Sequence, residues 1–421
     1  MPTNRSFLKS GHLPTLVAAL MYFDISFMVW VLLGPLAPFL RDELALTATQ
    51  RGLLVAVPLL GGSFFRPVLG ILGDRIGGRR AGLIGLALTL VPLVLGWKFA
   101  HDLWHFYAIG LLLGVAGASF AVALPLASRW YPPEHQGLAM GIAGAGNSGS
   151  LLATLAAPRL AERFGWATTF GLMLLPVLLV AVAFALLAKD SPQQRPRQTW
   201  RDYAGVLKEP DALWFCALYA LTFGGFVGFT SFLTTFFNEQ YHVSKVSAGD
   251  FTTLVVVAGS LLRPIGGWLS DRIGGYRLLL GLLMVVASAL AVASTLPPLP
   301  AVIAILFVAL GCLGMGNGAV FQLVPQRFAD RMGLVTGIVG AAGGLGGFFL
   351  PSMLGAVKDS TGSYGPGLLL LALGFAAGAL ALLHLGSVWT SRWQPDIVSR
   401  SGVFCYRLAV RSWRSEPGGA Q

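Results

Sequence analysis

Two arginines, Arg66 and Arg263, lie inside apolar segments of the sequence, in FFRPV and LLRPI. An arginine among such residues is costly unless it faces a partner or a water-filled cavity. Its planar guanidinium can donate two parallel hydrogen bonds to one oxyanion, which lysine cannot do. Two guanidiniums on opposite walls of one cavity would therefore bind a small, flat anion from both ends. The structural alternative is that Asp24, the credible carboxylate at this depth, and helix carbonyls neutralise the arginines.

Aromatic residues occur at a similar depth in the apolar segments. Phe120 lies in GASFAVALP, and Tyr219 and Phe223 are four residues apart, so they share one face of a helix. Aromatic faces can sandwich a planar, delocalised ion and exclude water from it. The competing interpretation is that these rings pack against lipid or neighbouring helices, which is the commoner role of phenylalanine in a membrane helix.

The composition indicates that lipid surrounds most of the chain. Of 421 residues, 55% are hydrophobic and 11% are charged, with a mean hydropathy of +0.72 and a formal net charge of +11. A soluble domain has roughly 25% charged residues. These values exclude a disordered chain and an ordinary soluble domain. Lys and Arg lie mainly in loops, where they set membrane orientation, so we expect no nucleic-acid partner.

We predict twelve transmembrane helices, because a lipid-exposed segment must satisfy its own backbone hydrogen bonds. Their predicted cores are residues 13–40, 49–73, 81–98, 104–130, 137–160, 168–188, 211–237, 247–270, 277–296, 300–326, 333–357 and 366–389. The basic residues concentrate on one side of the membrane, which predicts that both termini are cytoplasmic.

The two halves of the chain repeat each other. FRPVLGILGDRIGGRR returns as LRPIGGWLSDRIGGYR, so Arg66 corresponds to Arg263 at a separation of 197 residues (263 − 66 = 197). We predict a cytoplasmic N-terminus at residues 1–12 and a six-helix bundle at 13–188. A linker at 189–210 leads to a second six-helix bundle at 211–389 and a basic tail at 390–421. The tail could lie on anionic lipid headgroups or be disordered. Two parallel six-helix halves with a site between them are typical of alternating-access transporters.

Glycines mark a second repeated stretch. GAGNSG, from Gly144 to Gly149, matches the GxGxxG pattern of dinucleotide sites, but the strand and the acidic residue that such a site requires are missing. In a membrane helix, small residues instead allow close crossings. We predict packing or gating roles for Gly141, Gly144, Gly146, Gly337, Gly340 and Gly343.

The repeated D-R-x-G-G text resembles the signature of the major facilitator superfamily. It occurs as GILGDRIGGRR and GGWLSDRIGGYR, near predicted helix ends. We expect Asp74, Arg75, Asp271 and Arg272 to form ion pairs of a cytoplasmic gate that break when it opens. The alternative is that they are solvated determinants of topology.

A narrower resemblance comes from AGAGNSGS and GAAGGLGG, which are similar to the paired nitrate signatures of the nitrate/nitrite porter family. FQLVPQRF, at residues 321–328, resembles the tenth-helix text of that family, and the resemblance covers essentially residues 13–389. It implies an all-α membrane protein with twelve transmembrane helices in two pseudo-symmetric six-helix halves, the major facilitator fold. The short central loop resembles bacterial members, which implies a bacterial inner membrane.

The resemblance also implies roles for the residues of the site. Arg66 and Arg263 would hydrogen-bond nitrate, while Phe120, Tyr219 and Phe223 would line it and Asn147 would lie close by. The second half departs from the pattern, because Gly343 occupies the position that corresponds to Asn147. A polar contact from that half is therefore left open.

We expect a monomeric secondary active transporter of nitrate and nitrite, without cofactor, metal site or catalytic residues. Moving an anion inward against a negative interior costs about 2.3 kcal/mol per 100 mV, so uniport would expel nitrate. We expect proton-coupled uptake through Asp24, with electroneutral exchange for nitrite as the alternative, in which Asp24 would be a fixed counter-ion for one arginine. A carrier of another oxyanion or of organic phosphate is less favoured, because phosphate esters need a larger, more hydroxylated cavity. A membrane enzyme lacks its motifs, and a sensor would need a signalling domain.

Overall fold

The computed structural model describes residues 7–192, 199–328 and 331–403, and these residues contain helices and no strand. The first part of the chain forms α1 (Phe7–Ser10), α2 (Leu13–Trp30), α3 (Leu33–Leu44), α4 (Ala48–Ile76), α5 (Gly78–Lys98), α6 (Leu103–Gly117), α7 (Phe120–Ser128), α8 (Pro133–Gly144), a 3-10 segment (Ala145–Ser148), α9 (Gly149–Phe164), α10 (Trp166–Leu187) and α11 (Trp200–Val206). The second part forms α12 (Pro210–Gln240), α13 (Lys245–Leu261), α14 (Arg263–Ile273), α15 (Gly275–Ala293), α16 (Leu299–Arg327), α17 (Met332–Thr361), α18 (Gly365–Arg392) and α19 (Pro395–Ser401).

The predicted twelve-span architecture is confirmed. Eleven helical stretches in the described part of the chain are long and apolar enough to cross a membrane. The remaining predicted span, residues 137–160, falls on α8, the 3-10 segment and α9, so it is interrupted near its middle. Part of the predicted linker is helical, as α11, and part of the tail is helical, as α19. Residues 1–6 of the predicted N-terminus and residues 404–421 of the tail lie outside the described residues.

Polar side chains define where several spans begin. Thr47 and Gln50 form a capping box at the start of α4, in which the Thr47 hydroxyl accepts from the Gln50 backbone N–H at 3.2 Å. Ser244 caps α13 in the same way, accepting from the Ser247 backbone N–H at 3.1 Å. Such caps satisfy backbone donors that the first helical turn leaves unpaired. The starts of α4 and α13 are therefore determined by local sequence.

Four predicted spans are interrupted rather than continuous, which corrects the uninterrupted helices that apolar run length predicts. The breaks separate α2 from α3, α6 from α7, α8 from α9 and α13 from α14. Pro264 lies at the last break, where its ring removes a backbone donor and disfavours the preceding turn, although the equivalent Pro67 lies within the continuous α4. Phe120 and Arg263 are the first residues of the helices that follow two of these breaks, and Asn147 lies within the 3-10 segment. Three of the four interruptions therefore occur at residues predicted to bind the anion.

Glycines bring helix backbones together next to the arginines. Gly61 of α4 meets Gly114 of α6, and Gly259 of α13 meets Gly314 of α16, so closely that no Cβ would fit at either contact. The two contacts occupy equivalent places in the repeat, since their members are separated by 198 and 200 residues (259 − 61 and 314 − 114). Small residues permit such crossings in membrane helices. Each crossing lies about one helical turn before an arginine of the candidate site.

Candidate functional site

Arg66 is buried in α4 and donates to backbone carbonyls from both halves of the chain. Its side chain is 2% exposed. Nε donates to the Gly117 carbonyl at 3.1 Å, and Nη1 donates to the Gly340 carbonyl of α17. Nη2 is buried and has no hydrogen-bond partner. Two of the three nitrogens thus hold the guanidinium in place, and the third is left to bind a ligand.

Three aromatic rings enclose the same guanidinium. Its Cζ lies 5.1 Å from the ring centre of Trp30, 5.6 Å from that of Phe120 and 5.2 Å from that of Phe223. A cation over such ring faces is stabilised by about 0.5–2 kcal/mol per contact, more when it is shielded from water. The rings therefore keep Arg66 charged and dry without supplying a negative charge that would compete with an anion.

Arg263 occupies the equivalent place in the second half, at the start of α14. Its guanidinium Cζ lies 5.9 Å from the ring centre of Phe321, and its side chain interacts with the Tyr219 hydroxyl. Nη1 is buried without a hydrogen-bond partner. Arg66 and Arg263 are close enough to repel each other electrostatically. The two arginines thus converge, each with an unpaired donor nitrogen.

Neither arginine is neutralised by a carboxylate. Among the residues that the structure describes, every ion pair within 4.0 Å involves other basic side chains. Asp24 accepts instead from the Ser148 hydroxyl, with 2.7 Å between Oδ1 and Oγ. Two uncompensated cations in a buried site favour binding of an anion, because an unpaired buried charge is strongly destabilising. The arrangement differs from the structural alternative in which Asp24 neutralises an arginine.

A cavity of about 590 Å³ leads from Arg263 along α14 to Asp271. Its wall is formed by α8, α14, α16 and neighbouring residues, and it includes the buried Ser260 and Asn317. A volume of this size is typical of small-molecule sites. The cavity gives a route between Arg263 and the end of the molecule that carries Asp271.

The opposite end of the molecule is closed by polar contacts between the two halves. Glu239 of α12 pairs with Arg51 of α4, with 2.7 Å between Oε1 and Nε, and also accepts from the Tyr364 hydroxyl at 2.6 Å. We call the Arg51, Glu239 and Tyr364 group the clasp. Three further contacts cross the same boundary: Lys245 to Asp42 at 2.5 Å, Arg159 to Asp250 at 2.7 Å, and Asp359 to the backbone N–H groups of Ala48 and Thr49 at 2.9 and 2.7 Å. Asp42 and Glu239 are 197 residues apart (239 − 42 = 197), so acidic residues at equivalent repeat positions both join this closure.

The four predicted gate residues do not join the two halves in the described contacts. Asp74 pairs with Arg129 of its own half at 2.6 Å, and Arg75 is exposed. Asp271 is exposed at the cavity wall, while the Arg272 guanidinium lies 4.0 Å from the ring centre of Trp268. At this end of the molecule the cavity separates the two halves, so these side chains do not form ion pairs between the halves in this conformation. A latch formed by these residues stays a prediction for the opposite conformation.

The predicted glycines divide into two groups. Added Cβ atoms at Gly146 and Gly343 would collide, with Phe23 and Asp24 in the first case and with the rings of Tyr219 and Phe223 in the second, as expected for close packing. Gly340 contacts Phe120, and Gly337 is half-buried. Gly141 and Gly144 do not pack at a helix crossing. No atom lies within 4 Å of their Cβ positions, because both line the cavity.

Asn147 is fully buried, and neither its amide nitrogen nor its amide oxygen has a hydrogen-bond partner. Sequence reasoning missed Trp30, Phe321 and Asn317 as side chains of this site. Trp30 carries no signal in the sequence, since its position depends on how α2 packs against α4. Phe321 begins the FQLVPQRF text and could have been found there, while Asn317 lies one helical turn before it.

The residues of the site occur in a chain with clear relatives. The family model of the Major Facilitator Superfamily matches residues 18–351. The probable nitrate/nitrite transporter NarK2 of Mycobacterium tuberculosis is 38% identical over 384 residues, covering 89% of this chain and 97% of that protein. The nitrite extrusion protein of Bacillus subtilis is 34% identical over 373 residues, covering 87% and 92%.

Solved structures support the same fold at low sequence identity. The crystal structure of a D-xylose-proton symporter is 15% identical with a TM-score of 0.72, covering 93% of this chain and 99% of that one. The family model and the relatives describe multi-pass membrane transporters rather than enzymes. The resemblance seen in the signature motifs is thus confirmed: the chain belongs to the nitrate/nitrite porter family of the major facilitator superfamily.

Proposed function

We propose that this protein transports nitrate and nitrite across the membrane by alternating access. The observation that carries the proposal is the pair of guanidiniums of the buried Arg66 and the half-buried Arg263, each with an unpaired buried nitrogen and neither with a carboxylate in the described contacts. The names of the relatives, a nitrate/nitrite transporter and a nitrite extrusion protein, support this choice of anion.

The aromatic lining supports a flat ion. The rings of Phe120 and Phe321, one from each half, have centres 6.0 Å apart with planes inclined by 33°. Contact distances of about 3.5 Å on either side of a planar ion require a separation of roughly 7 Å. A planar ion therefore fits between two ring faces at a smaller separation than a tetrahedral phosphate ester requires. Organic phosphate is accordingly the weaker candidate, and the test is competition of nitrate uptake by phosphate esters and by nitrite.

We assign the described conformation to the state that is open towards the cytoplasm. The positive-inside rule supports a cytoplasmic location for the Asp74 end and for both termini, in a bacterial inner membrane. The clasp and its neighbouring contacts then close the periplasmic side, and the cavity opens on the cytoplasmic side. Because the whole arginine site comes from one chain, a monomer suffices for transport.

Glu239→Gln should shift the protein towards the outward-open state. The Arg51 and Glu239 side chains are only 11% and 9% exposed, so their pair is stronger than a surface ion pair. Removing one charge leaves Arg51 buried and unpaired in the closed form, whereas opening would hydrate it. The measurement is labelling of a cysteine placed beside the clasp with a membrane-impermeant reagent, and we expect labelling about tenfold faster than in the parent, since 1.4 kcal/mol changes a two-state equilibrium tenfold.

The control for this prediction is Glu162→Gln, which removes an exposed carboxylate at the same end of the molecule. It should leave the labelling rate unchanged. Equal labelling rates in the Glu239→Gln and Glu162→Gln proteins would show that the clasp does not hold the periplasmic side closed.

For coupling, we propose proton-linked uptake through Asp24. Asp24 accepts from Ser148, which belongs to the same 3-10 segment as Asn147, next to the cavity-lining residues Gly144 and Ala145. Protonation of the carboxylate would weaken this hydrogen bond, because only the ionised group is a full acceptor. Protonation of Asp24 would thus alter the 3-10 segment that carries Asn147, next to the substrate. Uptake of nitrate against the membrane potential needs two or more protons per anion.

Electroneutral exchange for internal nitrite is the second candidate, and the uncompensated arginine pair favours it. A cavity holding two unpaired cations resists closing when it is empty, so each half-cycle would require an anion. Exchange needs no titrating group.

Asp24→Asn separates these two schemes in proteoliposomes. Proton-linked uptake predicts that the variant loses at least about tenfold in nitrate uptake driven by an imposed pH gradient. The upper range of the loss is about 10²–10⁴-fold, the effect of removing one acid–base group from an enzyme. Uptake into vesicles preloaded with nitrite should persist in the same preparation, which controls for folding. Uptake by the variant at parental rates under a pH gradient would eliminate the role of Asp24.

A further inference from the structure

We propose that Asn317 of α16 is a specificity-determining residue of the anion site, whose side-chain amide hydrogen-bonds the bound anion from the second half of the molecule. The inference rests on the proposed transport of nitrate and nitrite. It answers the question left by Gly343, which stands where a counterpart of Asn147 would be expected in the repeat. The second amide comes from a different helix, α16 instead of α17.

The first observation is that Asn317 is buried without a partner. Its side chain is 0% exposed, and neither its amide nitrogen nor its amide oxygen forms a hydrogen bond. Among the described residues, Asn147 and Asn317 are the side chains with two such unpaired atoms. An unpaired buried polar group costs about 1–3 kcal/mol. Each half therefore contains one fully unpaired amide, and a ligand with several acceptor oxygens would remove this cost by accepting hydrogen bonds from both.

The second observation is the position of Asn317 beside Arg263. Its neighbour Gly318 packs against the Arg263 carbonyl oxygen, with 2.7 Å between that oxygen and the place where a Cβ would lie. Its other neighbour, Gly316, packs in the same way against Thr222 of α12, at 2.8 Å. Because both flanking residues lack a side chain, α16 lies directly against α14 and α12. The backbone on either side of Asn317 is consequently fixed against the helices that carry Arg263 and Thr222.

The third observation is that Asn317 faces the same cavity as Arg263. Both side chains line it, together with Ser260 and Phe321. Phe321 is one helical turn further along α16, and its ring packs on the Arg263 guanidinium. Two successive turns of α16 thus line the site of Arg263, one with the aromatic ring of Phe321 and the other with the neutral amide of Asn317.

The chemistry of an amide suits this place. Its NH₂ group can donate to an anion oxygen, while its carbonyl oxygen can accept from the unpaired Nη1 of Arg263. It adds a donor without adding charge. Nitrate offers three oxygens, and nitrite offers two oxygens and a nitrogen lone pair. With two arginines engaging two oxygens, an amide donor has a third oxygen to bind only in nitrate, so Asn317 should favour nitrate over nitrite.

The test is the ratio of nitrate to nitrite affinity in Asn317→Leu, which has nearly the same size and no hydrogen-bonding group. Uptake is measured in proteoliposomes with each anion separately. We expect the KM for nitrate to rise at least about tenfold, as for loss of one hydrogen bond to a charged group, with a much smaller rise for nitrite and little change in maximal rate. Asn317→Ser restores a donor and should recover part of the nitrate preference.

The matched control is Gln322→Leu. Gln322 lies on the same helix and lines the same cavity, but its amide oxygen is directed at Gly275 of α15 instead of Arg263. This variant should keep the parental nitrate to nitrite ratio. Thermal stability in detergent is measured for all three variants.

The outcomes separate the two levels of the proposal. An unchanged nitrate KM and an unchanged ratio in Asn317→Leu would overturn the role of Asn317 while leaving nitrate transport intact. Equal losses for both anions, with lower thermal stability and no recovery in Asn317→Ser, would also overturn it in favour of a packing role. Failure of the unaltered protein to transport nitrate or nitrite would overturn the proposed function itself, and the inference with it.

Discussion

Arg66→Lys and Arg263→Lys should each reduce nitrate uptake by at least about 100-fold, although both variants keep the positive charge. Arg66 uses Nε and Nη1 to donate to the carbonyls of Gly117 and Gly340, which leaves Nη2 for an anion. Lysine has one nitrogen and cannot reach both carbonyls and an anion together. Each lost hydrogen bond to a charged group is worth about 1.5–3 kcal/mol, so losing two, about 3 kcal/mol or more, corresponds to a factor of more than about 100.

The measurement is initial uptake of labelled nitrate into proteoliposomes. The matched control is Arg163→Lys, which changes an exposed arginine at the end of the molecule that carries the clasp and should transport at the parental rate. Thermal stability of each purified variant separates a transport defect from misfolding. Normal transport by both Arg66→Lys and Arg263→Lys would refute the guanidinium geometry proposed for the site.

Gly114→Ala and Gly314→Ala should each destabilise the protein strongly, because each introduces a methyl group where two helix backbones touch. A Cβ at Gly114 would overlap the backbone of Gly61, and one at Gly314 would overlap that of Gly259. Backbone atoms cannot rotate away as a flexible side chain can. Overpacking typically costs 1–3 kcal/mol, and we expect the upper end of that range or more, with a visible loss of folded protein.

The control for the glycine prediction is Gly281→Ala in α15, where no atom lies within 4 Å of the added Cβ. Alanine also has the higher helix propensity, so this variant should be at least as stable as the parent. The measurement is the melting temperature in detergent, followed by the recovery of monodisperse protein. Parental melting temperatures for both crossing variants would contradict the close helix contacts beside Arg66 and Arg263.

Features that depend on one stretch of sequence were predicted well. The spans follow from apolar run length, and the repeat between FRPVLGILGDRIGGRR and LRPIGGWLSDRIGGYR is visible by inspection. The cost of burying a charge pointed directly to Arg66 and Arg263. Arg66 proved to be 2% exposed, and both arginines have an unpaired buried nitrogen. For these residues, the chemistry of the local sequence was enough to predict a place in the site.

Features that depend on which helices meet were missed. Trp30 lies on Arg66 because α2 packs against α4, and Glu239 meets Arg51 because α12 faces α4 across the two halves. Apolar periodicity contains no information on such pairings. Gly141 and Gly144 look like packing residues in the text, yet they line the cavity, because the gap between the halves opens at their end of the molecule.

The breaks within the spans had only partial signals. Pro264 marks the break before α14, but nothing in the sequence around Ala118 identifies the break before α7. These interruptions place Phe120, Asn147 and Arg263 at helix starts or in a 3-10 turn, where side chains and backbone can both face a substrate. The broken helices of the site are thus a property of the assembled bundle more than of each span.

The central claim is that two unpaired guanidiniums, one from each half, bind one small planar anion. A high-resolution structure of the protein determined with nitrate tests it most directly. We expect nitrate oxygens within about 3 Å of Nη2 of Arg66 and of Nη1 of Arg263 at the same time. Nitrate bound elsewhere, or an acidic side chain paired with either arginine in that structure, would contradict it.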